Sequence, residues 1–124
     1  MSVVSMADAP EIEMDGAVFR PLAVPSRGTA ELAVWTVTIP PGAQATPHIV
    51  SREEILIVRS GRAAGTVGGE SVDAGPGQAL IFPPDTPVSV ANASATEPLE
   101  MLCCTSAGIK GTVGSETFPI PWAQ

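Results

Sequence analysis

GAQATPHIVSREEILIVRSG, residues Gly42 to Gly61, holds an extended polar segment, an acidic turn, a short apolar strand (Ile55, Leu56, Ile57 and Val58) and a glycine where the chain reverses. His48, the only histidine in the protein, lies in the first part, and Glu54 stands immediately before the apolar run. Side chains alternate faces along a strand, so a glutamate that opens this one shares an inward face with Leu56 and Val58. A carboxyl group is therefore expected inside an otherwise apolar interior.

The composition around this stretch favours strands. A chain of 124 residues makes one domain and buries roughly two thirds of the surface it exposes when unfolded. Its 12 glycines and 13 prolines are spread along the chain, a distribution that suits short strands joined by tight turns. With 6 basic and 13 acidic residues the formal net charge is -7, so a phosphate backbone is repelled and nucleic acid is excluded as a partner. Cys103 and Cys104 are adjacent, a spacing that seldom closes a disulfide, and a reducing cytoplasmic location is expected. The first residues, MSVVSMADAP, have neither a basic start nor a sustained apolar core, so neither a signal peptide nor membrane association is expected.

Strand signals recur at short intervals. Apolar periodicity begins at Val18 to Leu22, and a turn-rich PSRG follows at Pro25 to Gly28. In Glu31 to Ile39, Ala33, Trp35, Val37 and Ile39 fall on one face and Leu32, Val34, Thr36 and Thr38 on the other, the pattern of a strand covered on one side by core. Beyond Gly61, Arg62 to Val67 and Glu70 to Asp73 flank the pair Gly68-Gly69, a hairpin whose turn needs positive φ. Further strands are expected at Ala79 to Phe82, Val88 to Ala91, Pro98 to Cys104 and, more weakly, Gly111 to Phe118. About eight short strands without an intervening long helical stretch predict an all-β sandwich or closed barrel. The expected division is a flexible lead-in over 1–10, one barrel domain over 11–118, and an extended tail over 119–124 that buries Trp122 against the barrel or a second subunit.

Two spaced patterns carry a resemblance. Gly42, His48, Glu54 and Gly61 stand at the spacing of Gly, five residues, His, one residue, His, three residues, Glu, six residues, Gly, with Val50 in the place of the second histidine. Gly77, Pro83 and Asn92 fit a second pattern, in which Asp85 replaces a glycine and Val88 a histidine. The chain thus resembles the cupin superfamily. The resemblance implies a jelly-roll β-barrel, a small-molecule ligand and a homodimer paired through outer strands. In that family the histidines and the glutamate hold a divalent metal, and of the set only His48 and Glu54 remain here.

Catalytic metal sites usually keep three protein ligands and an open position. Val50 and Val88 have no lone pair to offer, so no cofactor is expected. A divalent metal would need His48 and Glu54 joined by Gln44, Thr46 or a thiol of Cys103 or Cys104. Without a metal the surviving pair becomes an acid/base couple in an apolar setting, where desolvation favours neutral forms. The expected wall is Trp35, Gln44, Val50, Leu56, Phe82, Val88 and Met101. Other readings stay open: His48 as a structural rim residue, Glu54 turned outward toward Arg52 or Arg59, and Asp85 as a turn residue. Three functions fit these residues: a metal-free isomerase, cyclase or lyase using His48 and Glu54, a metal-dependent oxygenase or lyase, and a ligand-binding or sensing barrel without catalysis.

Overall fold

Twelve strands, among residues 3–124 that the computed structural model describes, follow the turn residues closely. They are β1 (Ile12–Met14), β2 (Ala17–Ala23), β3 (Leu32–Ile39), β4 (Ile49–Val50), β5 (Glu54–Ser60) and β6 (Ala63–Val67). The remainder are β7 (Glu70–Ala74), β8 (Ala79–Phe82), β9 (Val88–Asn92), β10 (Leu99–Ser106), β11 (Lys110–Val113) and β12 (Glu116–Pro119). One antiparallel sheet has the order β1-β2-β3-β10-β5-β8. The opposing layer consists of β7-β6-β9 and β12-β11-β4, which meet where the His48 N–H donates to the Val88 carbonyl at 2.9 Å and the Val88 N–H donates back at 2.8 Å. Neighbours distant in sequence, such as β10 between β3 and β5, give the jelly-roll arrangement.

Alternation places the core. Along β3, Ala33, Trp35, Val37 and Ile39 are buried while Leu32 is exposed; along β10, Leu99, Met101, Cys103 and Thr105 are buried. Gly68 and Gly69 both take positive φ, 58° and 85°, as a two-residue turn between β6 and β7 demands. Asp85, at the place where the second pattern has glycine, also has positive φ, 56°. Aspartate tolerates this left-handed conformation better than most residues, and its N–H donates to the Val50 carbonyl at 2.8 Å.

Two expectations are corrected. Gly111 to Phe118 is a hairpin, β11 and β12, because the chain turns at Gly114 with φ 60°. A strand before Val18, β1, pairs with β2 across Asp15 and Gly16, both of positive φ. The lead-in expected over 1–10 makes hydrogen bonds to side chains of the barrel. Arg27 donates to the carbonyls of Ser5 (2.8 Å) and Asp8 (3.3 Å), and Arg20 to that of Met6 (2.9 Å). Met1 and Ser2 of that segment lie outside the described residues.

Candidate functional site

The two layers enclose a cavity of about 190 Å³. Its wall is hydrocarbon and aromatic: Trp35, Val50, Leu56, Phe82 and Met101 all line it and all are buried. Gln44 and Thr46 line it from the exposed segment ahead of β4, at the mouth. Val88, expected on this wall, is buried but is not among the lining residues. Its β9 neighbour Val90 contributes instead.

Glu54 enters this cavity because of its position in β5. Burial alternates along the strand, with Glu54, Leu56 and Val58 inside, and the Thr105 hydroxyl donates to the Glu53 carbonyl, fixing the turn that feeds the strand. Glu54 pairs across to Phe82 on one side and Thr105 on the other. The residue is only 8% exposed, and no ion pair or side-chain hydrogen bond to its carboxyl group is found among the described residues. Removing a carboxylate from water penalises its charge, and this burial pushes the pKa of Glu54 from 4.5 up to about 7. The outward orientation toward Arg52 or Arg59 is excluded by that burial.

His48 stands nearer the mouth, half-buried. Its Nδ1 lies 2.9 Å from the Thr46 carbonyl oxygen. A carbonyl only accepts, so Nδ1 carries the hydrogen, and in the neutral ring Nε2 is left as the acceptor. The ring meets Phe82 edge-on, with centroids 6.0 Å apart. His48 and Glu54 thus line one cavity, without an ion pair between them. Cys103 also lines it, 1% exposed. Burial, then the neighbouring Glu54 charge, then Cys104, raise its thiol pKa well above the ordinary value, which keeps it protonated.

The residues present do not compose the family's metal site. Val50 puts a buried side chain on the wall where the pattern has its second histidine. No group of three His, Cys, Asp or Glu side chains among the described residues is placed to hold an ion. Asn92, the last residue of the second pattern, is structural. Its amide donates to the carbonyls of Ile39 (3.0 Å) and Glu97 (2.7 Å), and its Oδ1 accepts from the Ser94 N–H, so it ties the loop before β10 to the end of β3.

Several lining residues escaped sequence reasoning. Phe19, Ile109, Phe118 and Trp122 come from β2, the approach to β11, β12 and the C-terminal turn. Period-two alternation identifies an inward face without saying which distant strand lies opposite. A usable signal existed for Met14 and Asp15, which also line the cavity: an Asp-Gly pair is a strong short-range sign of a hairpin.

Solved structures similar in fold to this chain include three that it spans over most of their length. A cupin described as RmlC-like, from Shewanella frigidimarina, superposes with TM-score 0.73 at 15% identity, over 86% of this chain and 90% of that one. The polyketide cyclase RemF from Streptomyces resistomycificus gives TM-score 0.73 at 19% identity, over 94% of this chain and 88% of the other. KdgF from Halomonas sp. gives 0.70 at 20%, over 85% and 93%. At these identities the likeness is one of fold. Among curated proteins none matches by sequence, and among the described residues no helix is long and apolar enough to cross a membrane. The family model for the cupin domain matches residues 35–105, a span that contains both spaced patterns together with His48 and Glu54. With more than half of its length matched in this way, the chain belongs to the cupin family.

Proposed function

We propose that the barrel binds a small, mainly apolar molecule and moves a proton on it, as an isomerase, cyclase or lyase. The observation that carries this reading is Glu54, a buried carboxyl group without a partner among the described residues, in a mainly apolar cavity. A pKa of about 7 populates both its acid and its base form near neutral pH, the condition under which a general acid or base is most effective. His48 offers a second proton acceptor at Nε2 on the same cavity. Because the two groups do not touch, a molecule held between them can lose a proton to one and gain one from the other. Such transfers contribute roughly a hundredfold to ten-thousandfold in rate. A cyclase among the solved structures of similar fold supports the reaction class at the level of architecture.

The test uses nitrobenzisoxazole, a flat uncharged probe whose ring opens when a base removes its carbon-bound proton, a reaction that a desolvated carboxylate accelerates. Wild-type protein is expected to open it at a rate that rises with pH through about 7, and Glu54→Gln to lose most of that rate. Equal rates for the two proteins would remove Glu54 from the chemistry. The separation of His48 from Glu54 favours a second reading, a barrel that holds a ligand without turnover. Binding of the probe with no ring opening in the wild type would select it.

A further inference from the structure

The six basic side chains of the chain are all directed elsewhere than the cavity. Arg20, Arg27 and Arg62 pair with Glu11, Asp8 and Asp73, and none of these, nor Arg52, Arg59 or Lys110, lines the cavity wall. The ionisable oxygen groups that do line it are both acidic, Glu54 in the interior and Asp15 among the exposed residues. The side chains able to make hydrogen bonds are Glu54 within, Asp15, Gln44, Thr46 and His48 toward the mouth, and the indole N–H donors of Trp35 and Trp122; the remaining wall is apolar, with Trp35, Phe82 and the Phe19–Trp122 pair contributing rings. The volume is about 190 Å³, somewhat larger than the roughly 150 Å³ apolar cavity that accepts benzene.

We infer that the barrel selects its ligand by charge and shape: it takes an uncharged, flat molecule of one or two rings bearing a hydroxyl or carbonyl that reaches Glu54, and it excludes carboxylates and phosphates. An anion entering the cavity loses its hydration without meeting a lysine or arginine, and its charge faces those of Glu54 and Asp15. A hydroxyl donates to the Glu54 carboxylate, and a carbonyl accepts from its protonated form, so either neutral group is satisfied whichever way Glu54 is ionised. Aromatic walls offer flat faces for rings to lie against. The inference names the substrate class for the proposed proton-transfer site and rests on the cavity being a ligand site.

Calorimetric titration of the wild-type protein with naphthol and with naphthoate, two rings of equal size that differ in charge, tests it. Naphthol is expected to bind at least about tenfold more tightly, which corresponds to 1.4 kcal/mol. In Glu54→Gln, checked for native fold by circular dichroism, the gap is expected to narrow as the interior negative charge is removed. Naphthoate binding as tightly as naphthol would overturn charge selection and make His48 an anion partner. Absence of naphthol binding would overturn the shape class. Both results are read without turnover, so a failure of nitrobenzisoxazole opening leaves this preference standing, and a loss of the preference leaves proton transfer by Glu54 standing.

Discussion

Phe19 and Trp122 stack face to face, with ring centroids 3.5 Å apart and planes within 9° of parallel. One ring belongs to β2 and the other to the turn that ends the chain, so the tail closes the cavity that the strands begin. The Ser26 N–H donates to the Gln124 carbonyl at 2.7 Å, holding the same tail from its far end.

Trp122→Ala is expected to destabilise the fold by about 3 kcal/mol, the range for removing a large buried aromatic. Trp122→Phe, which keeps a ring against Phe19, is expected to cost about 1 kcal/mol. Urea unfolding measures both. A change below about 0.5 kcal/mol for the alanine variant would mean that the tail contributes little to closing the barrel.

Glu54 makes stability depend on pH in an unusual direction for a carboxylate. Its folded pKa, about 7, lies above its ordinary 4.5, so between these values the folded state binds the proton and the unfolded state does not. Stability contributed by the neutral form is therefore complete below about 4.5 and falls as pH rises to about 7. A rise of that size corresponds to a loss of up to about 3 kcal/mol. In Glu54→Gln this loss is expected to be absent, so the variant gains on the wild type across the window. Parallel urea midpoints from pH 4.5 to 8 would show the two diverging; parallel curves would mean that Glu54 titrates as an exposed acid.

The two glycines that bound the first pattern are expected to behave differently. At Gly61, φ is 83° and a Cβ would press on the Pro98 carbonyl and lie 2.9 Å from the Leu99 Cα. Gly42 has φ 76°, but a Cβ there meets nothing within 4 Å. Gly61→Ala is expected to cost more than about 2 kcal/mol, since backbone must move, and Gly42→Ala about 1 kcal/mol from the left-handed conformation alone. Similar unfolding midpoints for the two variants would contradict this.

The adjacent thiols should differ in reactivity. Cys103 is 1% exposed, with its pKa raised by burial, whereas Cys104 lies on the opposite face of β10, half-buried. The thiolate is the reactive form. Iodoacetamide applied to native protein, followed by peptide mass spectrometry, is expected to label Cys104 first and Cys103 only after unfolding. Equal labelling would place Cys103 within reach of solvent.

Much of this architecture is legible in local pattern. The alternation of Leu32 to Ile39 gives β3 and its buried face, Gly68-Gly69 gives the β6–β7 turn, and Glu54 can be placed inside from Leu56 and Val58 alone. What local pattern does not contain is the other side of the cavity. Trp122 meets Phe19 from across most of the sequence, and no periodicity links them. Val88 shows the same limit: its place in the second pattern puts it on the wall and it is buried, yet Val90 is the β9 residue that lines the cavity. The Gly111 to Phe118 segment reads as one strand because its apolar residues are sparse, and only Gly114 betrays the reversal.

The reciprocal backbone bonds between His48 and Val88 join the two halves of the second layer. The imidazole rides on that rung. Any widening of the barrel at this seam would part those two bonds and carry the ring with it, so the width of the rim and the position of the His48 imidazole are mechanically coupled.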